Sequence, residues 1–143
     1  MNGNEELLNY VYQNSQMGQD TIDKLIPLTK DERFQARLKE QLNDYRAIHD
    51  KAEKMLRQNG SVGKGVVTMQ KVTAYMMIDL QTAINRSTEH LSEMMIKGST
   101  MGVIEAEKNI RTYTDAEPQI LDLCRELLKM EQDNIDKLKP FLA

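Results

Sequence analysis

The sequence predicts an all-α protein that folds as a four-helix bundle. Apolar residues recur three and four positions apart in four long segments, the spacing of one face of a helix. Only 3 prolines occur, at positions 27, 118 and 140, so long stretches are free to be helical. The chain has 143 residues, which predicts one domain, residues 1–143, with enough length for a proper core.

The first two helices are predicted to form an antiparallel pair. The first covers residues 4–26 and ends at Pro27, which lacks the N–H that a helix needs. The second starts after a cap at Thr29 or Asp31 and ends at residues 59–60, an Asn-Gly terminator. The predicted buried stripes are Leu7, Val11, Asn14, Gly18, Thr21 and Leu25, and then Phe34, Leu38, Leu42, Tyr45, His49, Ala52 and Leu56.

Residues 66–113 have a nearly continuous helical pattern, about twice as long as its neighbours. We expect a break at residues 85–88, which separates a crossover helix at 66–83 from a third bundle helix at 87–113. The fourth begins after Asp115, with Pro118 in its first turn, and reaches Pro140. A long join allows the second and third bundle helices to run parallel. The predicted stripes of the third and fourth bundle helices are Leu91, Met95, Gly98, Gly102, Glu105 and Asn109, and then Ile120, Leu123, Cys124, Leu127, Glu131, Asn134 and Leu138.

Composition argues against several classes of protein. A net charge of -3 provides no basic field for nucleic acid. No apolar run approaches the ~20 residues that span a membrane, and Glu5 and Glu6 stand where a signal peptide would need basic and apolar residues. The single cysteine, Cys124, excludes an internal disulfide and a cysteine-based zinc site. We therefore expect a cytoplasmic protein without a nucleic-acid or membrane partner.

Polar residues interrupt all four stripes near the middle of each helix. They are Asn14 and Thr21, Tyr45 and His49, Glu105 and Asn109, and Glu131 and Asn134. Burying an unpaired polar group costs roughly 2–7 kcal/mol. These groups are therefore predicted to meet in one layer, where they satisfy either one another or a metal.

The chain resembles the ferritin-like superfamily, and in particular its small bacterial four-helix bundles with a helical insertion between the two hairpins. The resemblance rests on helix lengths and on the segments NSQMGQD at 14–20, EMMIKGSTMG at 93–102 and EQDNI at 131–135. It implies a ferritin-like bundle with a crossover helix between the second and third bundle helices. The metal motif of that superfamily takes a Glu from each of two helices and Glu-x-x-His from each of the other two.

Carried over to this sequence, the motif is only partly matched. Asp20 lies near the position of the first glutamate, and Glu105 has a plausible register on the third helix. His49 has Arg46, a cation, three residues before it in place of Glu. In the last helix Glu131 is followed three residues later by an asparagine, where the motif has histidine.

Two hypotheses follow from the polar layer. In the first, Arg46 pairs with Glu105 or Glu131, and the layer is a hydrogen-bonded network without a cofactor. The protein would then be a binding or assembly protein, not an enzyme. In the alternative, Asp20, His49, Glu105 and Glu131 hold iron or manganese in an oxidoreductase or a metal store.

The predicted crossover helix at 66–83 is apolar on two sides. One side carries Val67, Val72, Met76 and Leu80, and the other carries Tyr75, Met77 and Ile78. A monomer would leave one side exposed, so we expect a homodimer or larger assembly through this segment. The same methionine-rich segment could instead present itself to a different protein partner.

Overall fold

A computed structural model describes residues 3–59 and 86–143, and all regular structure in those two ranges is helical. It comprises α1 (Gly3–Leu25), α2 (Glu32–Gln58), α3 (Thr88–Thr112) and α4 (Pro118–Leu138). Short 3₁₀ turns at Ile26–Leu28 and Lys139–Phe141 follow α1 and α4. The all-α prediction is confirmed, whereas the predicted crossover helix at 66–83 lies outside the described residues.

The helix ends follow the capping residues in the sequence. Asp31, rather than Thr29, caps α2, because its side chain accepts hydrogen bonds from the backbone N–H groups of Arg33 and Phe34. Ser87 has an extended backbone and accepts from the N–H of His90. The third bundle helix therefore begins at Thr88, one residue after the predicted start at residue 87.

Contacts at the helix ends define the direction of each helix. The Asn4 side chain accepts a hydrogen bond from the Glu117 backbone N–H at 2.7 Å, so α1 and α4 start side by side. The Ser92 hydroxyl donates to the Leu138 carbonyl at 2.8 Å, which places the start of α3 beside the end of α4. A single 3₁₀ turn reverses the chain between α1 and α2. Helices α2 and α3 therefore run in the same direction, opposite to α1 and α4.

The core lies between the apolar stripes of all four helices. The stripes predicted for α1 and α4 are buried throughout. In α2 the core position is Ile48, and His49 lies half-buried beside it; in α3 Ala106 is buried and Glu105 is exposed. Both predictions were wrong by one residue, because a helical stripe can advance by three or four residues and the apolar alternative is the one that packs inside.

Candidate functional site

Glu131 is the one acidic residue that is buried among residues 3–59 and 86–143, with 2% of its surface exposed. Its position on α4 follows from the stripe, because it stands four residues after Leu127 and three before Asn134, both of which face the core. The hydroxyl of Tyr45 on α2 donates a hydrogen bond to one oxygen of this carboxylate. Glu131 and Tyr45 are therefore the centre of a polar layer inside the bundle.

Two glycines make room for this pair. A Cβ atom on Gly102 of α3 would collide with the Glu131 carboxylate, and one on Gly18 of α1 would collide with the Tyr45 ring. The Tyr10 hydroxyl also donates to the Gly102 carbonyl at 3.2 Å. The absence of side chains at these two positions lets α1 and α3 approach the large polar groups of α2 and α4.

Burial dominates the electrostatics of the layer. It raises the pKa of Glu131 to about 7, against the opposing effects of the Tyr45 hydroxyl and then of the Asn14 amide. The pKa of Tyr45 is raised well above its usual value, by burial and by the neighbouring Glu131 charge. The Glu131 carboxyl group therefore gains or loses its proton in the neutral pH range.

A cavity of about 20 Å³ adjoins the pair. A volume of this size holds about one water-sized particle. The Asn14 side-chain nitrogen, which is buried, has no hydrogen-bond partner within the described part of the chain. The residues that line the cavity are Asn14, Met17, Gly18, Thr21, Tyr45, Met95, Gly98, Ser99 and Glu131.

Five of the predicted site residues belong to this buried layer. Asn14, Thr21, Tyr45, Glu131 and Asn134 are all buried. The Asn134 amide lies next to the Tyr45 hydroxyl, where it offsets a small part of the rise that burial and the Glu131 charge cause in the pKa of Tyr45. The structure thus brings together polar residues from α1, α2 and α4 that the sequence predicted to meet.

Three other predicted members do not enter the layer. Arg46 and Glu105 are exposed, so the predicted buried pairing of Arg46 with Glu105 or Glu131 is wrong. Arg46 follows Tyr45 directly and is rotated by about 100° around α2, away from the core. Glu105 lies 3.8 Å from Lys108 on the surface of α3, and the half-buried Asn109 side chain donates to the Glu105 backbone carbonyl at 2.7 Å.

His49 and Asp20 also lie apart from Glu131. The His49 ring stacks on Tyr12 with 4.4 Å between ring centroids. On α2, the His49 ring, Asp50 and Glu53 offer three metal-ligand atoms within 4.8 Å of one another, although Arg57 pairs with Glu53 at 2.7 Å. Asp20 is half-buried and accepts a hydrogen bond from Gln16 at 3.0 Å.

These positions test whether the layer fits the two metal ions of the ferritin-like motif. The described residues bring one carboxylate and no imidazole to the layer. Residues 60–85, whose structure is not described, contain one acidic residue, Asp79, and no histidine. A di-iron or di-manganese centre of that motif takes four glutamates and two histidines. The donor set of this chain does not fit such a centre.

Ser99, Gly102 and Tyr10 complete the layer, and sequence reasoning did not assign them to it. Ser99 is buried, and its side chain forms a hydrogen bond with the Tyr45 hydroxyl. The signal that could have identified the α3 residues is the run of small residues Gly98, Ser99 and Gly102, which lies where a glutamate from the facing helix needs space. The sequence pattern gave no comparable signal for Tyr10.

The chain matches no protein family model, no curated protein and no solved structure. Within the described ranges, none of the helices combines the length and the apolar character that crossing a membrane requires.

Proposed function

We propose that this protein is a ferritin-like four-helix bundle that acts as a binding or assembly protein and has no di-metal centre. The directions of the helices support the ferritin-like assignment, because a bundle with a crossover between its second and third helices has those two helices parallel. The observation that carries the functional part is the hydrogen bond from Tyr45 to Glu131. Within the described residues the carboxylate of Glu131 thus meets a hydroxyl and no second buried carboxylate, whereas a di-metal centre needs several carboxylates around its ions.

Elemental analysis tests the absence of a di-metal centre. The protein is purified after growth with added iron and manganese, beside the variant Glu131→Gln, which keeps the side-chain volume and removes the charge. We expect far less than one ion of either metal per chain in both proteins. Near-stoichiometric iron or manganese that is lost in Glu131→Gln would refute the proposal and support an oxidoreductase.

The alternative of a metal store has one observation in its favour, which is the group of His49, Asp50 and Glu53 on α2. The same elemental analysis on His49→Ala separates this group from the central layer. Metal that is lost in His49→Ala and retained in Glu131→Gln would support a surface metal site and not a di-metal centre in the core.

The assembly part of the proposal is a homodimer or larger oligomer through residues 66–83. These residues lie outside the described ranges, but α3 also exposes apolar side chains, because Met101 and Ile104 are 49% and 48% exposed. Light scattering at micromolar concentration tests it, and a particle of 16.5 kDa, the mass of one chain, would count against it. A reducing, cytoplasmic location is part of the same proposal, since Cys124 is buried and unpaired.

A further inference from the structure

The charge of Glu131 is not balanced by any positively charged side chain in the described part of the chain. The ion pairs of residues 3–59 and 86–143 are at the surface, and none includes Glu131. The titratable and polar groups next to the carboxylate are uncharged: the hydroxyls of Tyr45 and Tyr10, the amide of Asn14 and the backbone of Gly102. An ionised carboxylate in such a position must take up either a proton or a cation.

The cavity beside Glu131 has the size and lining for a small cation. Its volume of about 20 Å³ admits one particle as large as water. Oxygen-bearing side chains from all four helices line it: Asn14 and Thr21 from α1, Tyr45 from α2, Ser99 from α3 and Glu131 from α4. Carboxylate, hydroxyl and amide oxygens are the ligands that hard cations prefer.

We propose that this cavity is a binding site for one monovalent cation of about the size of water, such as potassium or ammonium, with Glu131 as the charged ligand. A single carboxylate neutralises a single positive charge. A divalent ion would leave a net charge buried in the core, and calcium and magnesium sites in proteins generally use more carboxylates. The hydroxyl oxygen of Ser99 keeps lone pairs for an ion when its proton is donated to the Tyr45 oxygen.

Asn14 provides the second, independent indication of a ligand. Its side chain is 5% exposed and lines the cavity, yet its nitrogen has no hydrogen-bond partner within the described residues. Oxygen and nitrogen of such an amide exchange places by a rotation of 180°. That rotation gives up the attraction of the amide NH2 group to Glu131, which lowers the pKa of that carboxyl group, and presents the amide oxygen as a ligand. Glu131 is then attracted to the full charge of the ion, which is a stronger interaction than its attraction to the neutral amide.

This inference rests on the proposed function only in that the polar layer holds no transition metal. The absence of a di-metal centre and the presence of a monovalent cation site are tested by different experiments. Iron or manganese in the purified protein, lost in Glu131→Gln, would refute the proposed function, whereas the cation site is tested by the response of stability to simple salts.

Thermal unfolding of the full chain at pH 8.5 tests the site directly. Potassium chloride is compared with tetramethylammonium chloride, whose cation is much larger than water, at the same ionic strength. We expect a melting temperature about 4 °C higher in potassium when the salt is at roughly ten times its dissociation constant. The difference should saturate with concentration, as binding does and general screening does not.

Two controls make the result specific to Glu131. At pH 5.5 the carboxyl group is protonated, because burial raises the pKa of Glu131 to about 7, so the difference between the two salts should vanish. It should also vanish in Glu131→Gln and persist in Glu126→Gln, which changes an exposed carboxylate on the same helix. If Glu131→Gln does not fold, the comparison of the two pH values in the unmodified chain still decides. Equal melting temperatures in both salts at pH 8.5 would overturn the proposal.

Discussion

The Tyr45 hydroxyl donates a hydrogen bond to the Glu131 carboxylate and so links α2 to α4 across the centre of the bundle. The two residues are 86 positions apart in the chain. Hydrogen bonds to charged groups contribute more than those between neutral groups, typically about 1.5–3 kcal/mol. Because both side chains are buried and must meet at one point, this bond also fixes how the two helices are rotated relative to each other.

Removing the hydroxyl should destabilise the protein most at high pH. In Tyr45→Phe an ionised Glu131 loses the hydrogen bond from the Tyr45 hydroxyl, so we expect a loss of about 1–3 kcal/mol in the free energy of unfolding above pH 7. Below pH 5, where the carboxyl group is protonated, the loss should be smaller. Urea unfolding at both pH values measures it. Tyr10→Phe is the matched control, because its hydroxyl donates to the Gly102 carbonyl and should show no such pH dependence.

Glu131 should also make the protein less stable as pH rises from about 4.5 to about 7. Burial raises its pKa from 4.5 to about 7 in the folded protein, so the folded state binds the proton more tightly than the unfolded state does. The stability that this tighter proton binding contributes is fully present below about pH 4.5 and is lost as pH rises to about 7. For a pKa shift of this size it amounts to about 3 kcal/mol in the free energy of unfolding.

The comparison with Glu131→Gln isolates this contribution, because other carboxylates titrate in both proteins. The variant should lose little stability relative to the unmodified chain above pH 7, and it should lack the decline between pH 4.5 and 7. Denaturant unfolding at several pH values gives both curves. Two parallel curves would show that Glu131 is ionised throughout this range.

Gly102 should tolerate a methyl group only when the Glu131 carboxylate is absent. In the unmodified protein, Gly102→Ala places a Cβ atom against that carboxylate, and overpacking of this kind costs about 1–3 kcal/mol. In a Glu131→Ala background the same substitution should stabilise, by up to about 1 kcal/mol, because alanine is the better helix former. A double-mutant cycle by urea unfolding measures the change of sign. Destabilisation by the same amount in both backgrounds would contradict it.

The predicted stripes of α1 and α4 are buried because either step leads inside: in α4, Met130 and Glu131, three and four residues after Leu127, are both buried. In α2 the choice after Tyr45 lies between Ile48, three residues on, and His49, four residues on. In α3 the same ambiguity follows Gly102, between Glu105 and Ala106. Spacing alone permits either step, and the cost of burying a polar group decides in favour of the apolar residue.

The partner of Glu131 could not be predicted because a sequence pattern does not give the rotation of one helix relative to another. Tyr45 and Arg46 are neighbours in the chain and point about 100° apart on α2, so both cannot face the same carboxylate. The prediction chose the charged neighbour, whereas the structure has the phenol inside and the guanidinium exposed. Ser99 and Gly102 were missed for a related reason, because small residues show their role only when the large group opposite is known.

Arg46→Met is the sharpest test of where the counter-charge of Glu131 comes from. A buried Arg46–Glu131 pair would make this substitution cost about 3–5 kcal/mol, since it would leave an uncompensated charge in the core. Because Arg46 is exposed and forms no ion pair within the described residues, we expect a change of less than about 0.5 kcal/mol in the free energy of unfolding.

The double variant with Glu131→Gln completes this test by urea unfolding. Its stability should equal that of Glu131→Gln alone to within about 0.5 kcal/mol, because the two sites share no contact and their effects should add. A large loss in Arg46→Met that the second substitution relieves would show that the arginine reaches the carboxylate in solution. The polar layer would then be a charge pair, and the Tyr45 hydroxyl would be a secondary ligand of Glu131.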